Sequence, residues 1–265
     1  MLTHEKRTPA RWSPLHSGRE TQSYYVSRPA PPPEAYAGYW KPKADPDGIT
    51  RDRSGERDIY LEDLGGAGCF SWLERLQSRQ PQARSRVLDV GCGPGWLLSA
   101  LDEEQWDKHG VEICEDAVDE ARQHGKVLCG TLQEARYPEE MFDAVFCHHV
   151  IEHDPDPIDL IHEIRRVLKR GGGLILATPD FGSPCAKRFG ANYRMLHDTT
   201  HVSLFTLESA TRMLTEVGFT IEDVQFPFPE RYCTAETMER WRRGPVDGEW
   251  SPPWPGNWMS FFCEK

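Results

Sequence analysis

Ten histidines are scattered along the chain, but five fall into two tight groups. His148, His149 and His153 form one group. His197 and His201, with Asp198 between them, form the other. A neutral imidazole near pH 7 can take a proton from a hydroxyl, so His149, His197 and His201 are candidate general bases. The plainer reading is a histidine that only hydrogen-bonds within a packed loop. His149, Glu152 and His153 also stand at i, i+3 and i+4, one face of a helical turn and a spacing that suits a metal ion.

A second feature is the run Val87-Leu88-Asp89-Val90-Gly91-Cys92-Gly93-Pro94-Gly95. Glycines at the end of a strand let backbone amides approach a ligand beside a helix N-terminus. The spacing is Gly-x-Gly-x-Gly, which differs from the Gly-x-Gly-x-x-Gly of dinucleotide enzymes and counts against a nicotinamide oxidoreductase. Glu112 closes the next apolar run, Gly110-Val111-Glu112-Ile113, where an acidic side chain can accept hydrogen bonds from ribose hydroxyls.

Short apolar runs alternate with amphipathic stretches, the pattern of a largely parallel sheet covered by helices. Strands are expected at 86–90, 110–113, 126–129, 144–147 and 174–177, with helices at 96–101, 115–123 and 157–169. In the third helix Asp156 is the expected cap, Pro157 suits the first turn, and 171–173 are expected to stop it. A helix at 207–217, a strand at 219–225 and a last strand at 258–263 follow. No helical pattern of adequate length directly precedes that last run, so an antiparallel closing strand is expected. The fold class is α/β, a doubly wound Rossmann-like seven-stranded sheet, mostly parallel with an antiparallel last strand.

Residues 1–64 read as an irregular, proline-rich arm that could serve as a lid. Tyr24, Tyr25, Tyr36, Tyr39 and Trp40 suggest that part of it packs on the core. Residues 65–265 form one domain with substrate-side insertions near 180–205 and 228–257. Both histidine groups follow strand ends on the edge where open α/β sheets bind ligands. Trp241, Trp250 and Trp254 of the second insertion are candidates for an acceptor wall or for aromatic packing over the sheet.

The formal charge of −11, from 31 basic and 42 acidic side chains, opposes binding to a phosphate backbone. No Asn/Asp-Pro-Pro-aromatic run follows the fourth strand, which also argues against a base-amine nucleic-acid substrate. The eight cysteines are dispersed without a CxxC pair, as in a reduced cytosolic protein. With no long apolar stretch, the expectation is a cytoplasmic protein that neither spans nor anchors to a membrane.

Taken in order, Leu88 to Gly95, the acidic end of the second strand, Phe142-Asp143-Ala144-Val145, Val150-Ile151-Glu152-His153, Leu168 to Gly172 and Thr178-Pro179 resemble the motifs of class I S-adenosylmethionine-dependent methyltransferases. The likeness is to the small-molecule type, such as ubiquinone-pathway and secondary-metabolite O-methyltransferases, and covers about 65–225. It implies S-adenosylmethionine as cofactor, with Asp89, Gly91 and Gly93 at its methionine part and Glu112 at the ribose. It further implies Ile113 and Leu132 at the adenine and His148 near the sulfonium. Some relatives hold a divalent ion on Glu-x-x-Glu-His here. This chain has His149 in place of their first Glu, and no metal is expected. The implied function is methyl transfer to a small-molecule hydroxyl, on a sugar, glycan precursor or secondary metabolite. A catalytically inactive cofactor-binding scaffold and an N- or S-methyltransferase stand as alternatives.

Overall fold

The structure, a computed structural model, describes residues 25–26, 55–79 and 84–265. Its elements in chain order are β1 (Tyr25–Val26), α1 (Glu56–Gly66), α2 (Cys69–Ser78), β2 (Ser85–Val90), α3 (Trp96–Ala100) and β3 (Trp106–Glu112). Next come α4 (Glu115–Ala121), β4 (Lys126–Cys129), α5 (Leu132–Ala135), β5 (Phe142–His148), α6 (Pro157–Val167) and β6 (Leu168–Pro179). The last third holds α7 (Pro184–Phe189), β7 (Ser203–Leu204), α8 (Leu207–Val217), β8 (Thr220–Gln225), α9 (Ala235–Arg243) and β9 (Trp258–Glu264).

Seven strands form one sheet in the order β4-β3-β2-β5-β6-β9-β8. Strands β2 to β6 pair in parallel, and β9 lies antiparallel between β6 and β8. This is the expected doubly wound architecture with its antiparallel closing strand.

Side chains alternate across the sheet with the strand period of two, and each face has its own core. Leu88, Val145, Leu174, Leu176 and Phe261 join α6 and α8 on one face. Val87, Ala144, Phe146, Ile175 and Phe262 join α1, α2 and α3 on the other. The sheet is thus buried on both sides, which leaves its strand ends as the place for a ligand.

Two local expectations need correction. Residues 171–173 do not stop α6: the helix ends at Val167 and the chain passes directly into β6, with these glycines inside the strand. The reason is packing, because a Cβ on Gly173 would lie 1.9 Å from Trp72 Cη2, so glycine there admits the indole of α2. The described part of the arm is also more regular than the arm's composition suggested. Its end forms α1, and β1 pairs antiparallel with β7, Tyr25 opposite Leu204 and Val26 opposite Ser203. The expected packing of Tyr24, Tyr25, Tyr36, Tyr39 and Trp40 side chains lies outside the described residues. Among the described residues no helix is long and apolar enough to cross a membrane.

Candidate active site

The glycine turn lies between β2 and α3. Gly91, Gly93 and Gly95 all have positive φ, at 67°, 52° and 81°, a region that strains side-chain-bearing residues. Glu112, at the end of β3, braces this turn. Its Oε2 accepts from the Gly93 amide at 2.9 Å and its Oε1 from the Cys114 amide at 2.8 Å. An ionised carboxylate has about four acceptor positions, so Glu112 retains acceptor capacity for a ribose hydroxyl. Ile113 beside it is 48% exposed, an apolar surface available to a flat ring. Leu132, implied as its partner, is instead wholly buried in the core at the start of α5.

Asp89 and Glu112 are both buried, and neither has a cationic partner among the described residues. Burial pushes Asp89 up to about 8, and the nearby Glu112 charge adds to the rise. Burial likewise raises Glu112, against the pull of its backbone amides. Two desolvated carboxylates facing one turn are groups that could hold a positively charged ligand. S-adenosylmethionine carries an ammonium and a sulfonium and fits that charge pattern.

A pH dependence follows. With a pKa of about 8 against 3.8 in the unfolded chain, Asp89 of the folded protein holds a proton that the unfolded chain has lost. Its contribution therefore lowers stability as pH rises across that window. A cation bound beside Asp89 lowers its pKa, so cofactor binding at pH 7 releases roughly one proton. Calorimetric titration in buffers of different ionisation enthalpy measures the release. It is expected to vanish in Asp89→Asn, and absence of release in the wild type would remove Asp89 from the site.

The candidate bases begin where β5 stops. His148 closes the strand and packs edge-on against Tyr60 of α1 at 5.6 Å between ring centres. Burial, with His149 beside it, holds the His148 pKa down at about 3, so the ring is neutral at any working pH. His149 follows with φ of 57°, a conformation that costs a non-glycine residue about 1–3 kcal/mol. Its amide donates to Ala177 O at 2.9 Å, and its Nδ1 lies 3.0 Å from Glu152 Oε1. The other Glu152 oxygen accepts from Thr178 Oγ1 at 3.0 Å.

Glu152 is the hub of the histidine groups. Burial alone would raise its pKa, but the hydrogen bond from His149 and the charges of His149, His153 and His201 outweigh it and hold it at about 2. Because this carboxylate only accepts, His149 carries its proton on Nδ1 and presents Nε2 as the basic nitrogen. The Glu152 carbonyl takes the amides of Val202 and Ser203, which draws the second histidine group onto the first. The rings of His153 and His201 stand 4.9 Å apart. Their Nδ1 atoms face the carbonyls of Thr200 at 3.3 Å and Met195 at 2.7 Å.

Of the candidate bases, His149 and His201 therefore meet at Glu152. His197 stacks on Trp250 of the C-terminal insertion at 4.5 Å. Trp241 and Trp254 stack on each other at 3.8 Å and pack against the cluster of Cys185, Phe189 and Tyr193, which is aromatic packing. Trp250 is 56% exposed. Two positions at this edge escaped the sequence reading. Glu152 was legible as a ligand-type residue but not as the group that orients His149. Tyr60 lay in a stretch read as irregular, although Tyr60, Leu61 and Leu64 carry helical spacing.

A doubly wound sheet, a braced glycine turn and an acidic residue at the next strand end define a nucleoside-cofactor transferase of the class I methyltransferase type. The family described as "Methyltransferase domain" matches residues 60–224, and the chain belongs to the S-adenosylmethionine-dependent methyltransferases. A ubiquinone biosynthesis O-methyltransferase of Psychrobacter arcticus is 27% identical over 224 residues, 77% of this chain and 87% of that protein. One from Thiobacillus denitrificans is 32% identical over 170 residues, 57% of this chain and 72% of the relative. Other relatives of the same description match over about half of their own length, 47% and 46%. The fold is shared with a SAM-dependent methyltransferase of Thermotoga maritima, at 23% identity and a TM-score of 0.52, covering 78% of this chain and 95% of that one.

Proposed function

We propose that the chain methylates a hydroxyl oxygen of a small molecule, with His149 as general base and Glu152 as the group that orients it. The observation that carries this reading is the dyad itself: a strained histidine at a strand end, with its Nδ1 held by a buried, ionised carboxylate. When bound, S-adenosylmethionine supplies a methyl carbon activated by its positive sulfur. His149 Nε2 takes the hydroxyl proton as the oxygen attacks, and Glu152 stabilises the imidazolium that forms. Asp89 and Glu112 hold the cofactor's cationic and ribose parts.

The printed descriptions of the relatives support an oxygen acceptor. The acceptor class remains a hydroxyl of a sugar, glycan precursor or secondary metabolite. Turnover on such a compound compared with its deoxy analogue tests the reading. Equal methylation of both would defeat it.

A second reading has one observation in its favour. Donor atoms of Glu152, His153 and His201 all lie within 4.8 Å of one another, a donor set that fits a divalent ion. Those three residues would hold such an ion, which would lower the pKa of a bound hydroxyl. We favour the metal-free reading, because His149 stands where the metal-holding relatives carry the first Glu of their Glu-x-x-Glu-His run. Activity of protein purified without a histidine tag is therefore expected to survive EDTA unchanged. Loss on chelation, restored by a divalent cation, would overturn the preference.

A further inference from the structure

Helix α1 lies over the glycine turn and is tied down from two sides. Arg57 Nε donates to Ser99 Oγ of α3 at 3.0 Å. From the insertion between β8 and β9, Arg231 Nη2 reaches both oxygens of Asp63 at 2.6 and 2.5 Å, and Arg231 Nη1 lies 4.0 Å from Glu62. The Arg231 guanidinium also covers the ring of Tyr232 at 4.8 Å. Asp63 stands one helical turn from Tyr60. The Tyr60 ring packs against Trp96 at 5.8 Å and His148 at 5.6 Å, and its phenol is within electrostatic reach of Asp89 and Cys92. The Tyr60 ring therefore stands beside the same turn as the buried carboxylates.

We propose that Tyr60 is a cofactor-positioning residue whose phenol donates to the α-carboxylate of S-adenosylmethionine, and that Arg231 keeps it there by clasping Asp63. The amino-acid end of the cofactor is a zwitterion. Asp89 answers its ammonium but repels its carboxylate, which needs a donor. A lysine or arginine here would pair with Asp89 and cancel the charge that attracts the ammonium, whereas a phenol donates without doing so. Burial, reinforced by the Asp89 charge, raises the Tyr60 pKa well above the usual 10, so the phenol keeps its proton. Because Arg231 belongs to the insertion between β8 and β9, the clasp ties that insertion to the helix that carries Tyr60.

The proposal rests on the family's cofactor and not on the choice of acceptor atom. Calorimetric titration of wild type, Tyr60→Phe, Arg231→Gln and the double variant tests it. The probes are S-adenosylhomocysteine and 5′-methylthioadenosine, which lacks the amino acid. Tyr60→Phe is expected to weaken S-adenosylhomocysteine by roughly tenfold or more, the scale of a hydrogen bond to a charged group, and to leave methylthioadenosine within about twofold. Arg231→Gln is expected to weaken S-adenosylhomocysteine in the wild-type background and to add nothing to Tyr60→Phe. The charge swap Asp63→Arg with Arg231→Asp should restore part of the loss. Equal losses for both probes, or none, would overturn the role of Tyr60. Full additivity of the two single effects would overturn the action of Arg231 through it.

Discussion

Replacing His149 by alanine is expected to lower turnover about 100-fold or more, the usual scale of general-base catalysis, while affinity for S-adenosylhomocysteine stays within about twofold. The expectation follows from its position. His149 is not among the residues that brace the glycine turn, and its ring is held by Glu152 at 3.0 Å. The loss should fall on kcat, because the interaction removed acts only as the proton leaves. Added imidazole should recover part of the rate in His149→Ala, since the space left by the ring admits it and the Glu152 carboxylate still faces that space. His149→Gly supplies a control on strain. At φ of 57° glycine is relaxed where alanine is not, so the glycine variant is expected to be the more stable of the two by about 1 kcal/mol, measured by denaturant unfolding. Turnover near the wild-type level in both variants would remove His149 from the chemistry.

The second large effect belongs to Glu112. Glu112→Ala is expected to weaken S-adenosylhomocysteine by roughly 1.5–3 kcal/mol for each charged hydrogen bond lost, about 100-fold or more overall. The side chain fixes the turn through the Gly93 and Cys114 amides, and in the proposed site it also accepts from the ribose. The isosteric Glu112→Gln is expected to fail nearly as badly. Both oxygens accept from backbone N–H groups, and an amide nitrogen in either place would set donor against donor. Calorimetric titration measures both variants. An unchanged dissociation constant in Glu112→Ala would exclude it from the cofactor site.

The sheet and cofactor end were legible because they depend on local patterns. Continuous apolar runs in β2, β5 and β6, the glycine spacing and the acid at the end of β3 each reveal themselves within a few residues. Much of β3 was under-read, since Trp106, Lys108 and His109 are polar or bulky yet buried, their environment coming from strands and helices distant in sequence. The glycines at 171–173 misled for the same reason. They signal a helix stop only if nothing else needs the space, and here Trp72 needs it. The catalytic end was only half visible. Spacing grouped His149 with His153, but the arrival of His201 depends on the Glu152 carbonyl accepting amides from 50 residues onward. Tyr60 and Arg231 depend on a contact spanning 168 residues, which no local period can announce.

The atom that receives the methyl group tests the proposed chemistry most directly. Cofactor carrying an isotopically labelled methyl is supplied with a small-molecule acceptor that bears a hydroxyl, an amine and a thiol, and the label is located in the product by NMR. The prediction is label on oxygen with wild type and at least about 100-fold less with His149→Ala. Label on nitrogen or sulfur alone, O-methylation undiminished in His149→Ala, or cofactor binding with no transfer to any acceptor would contradict it.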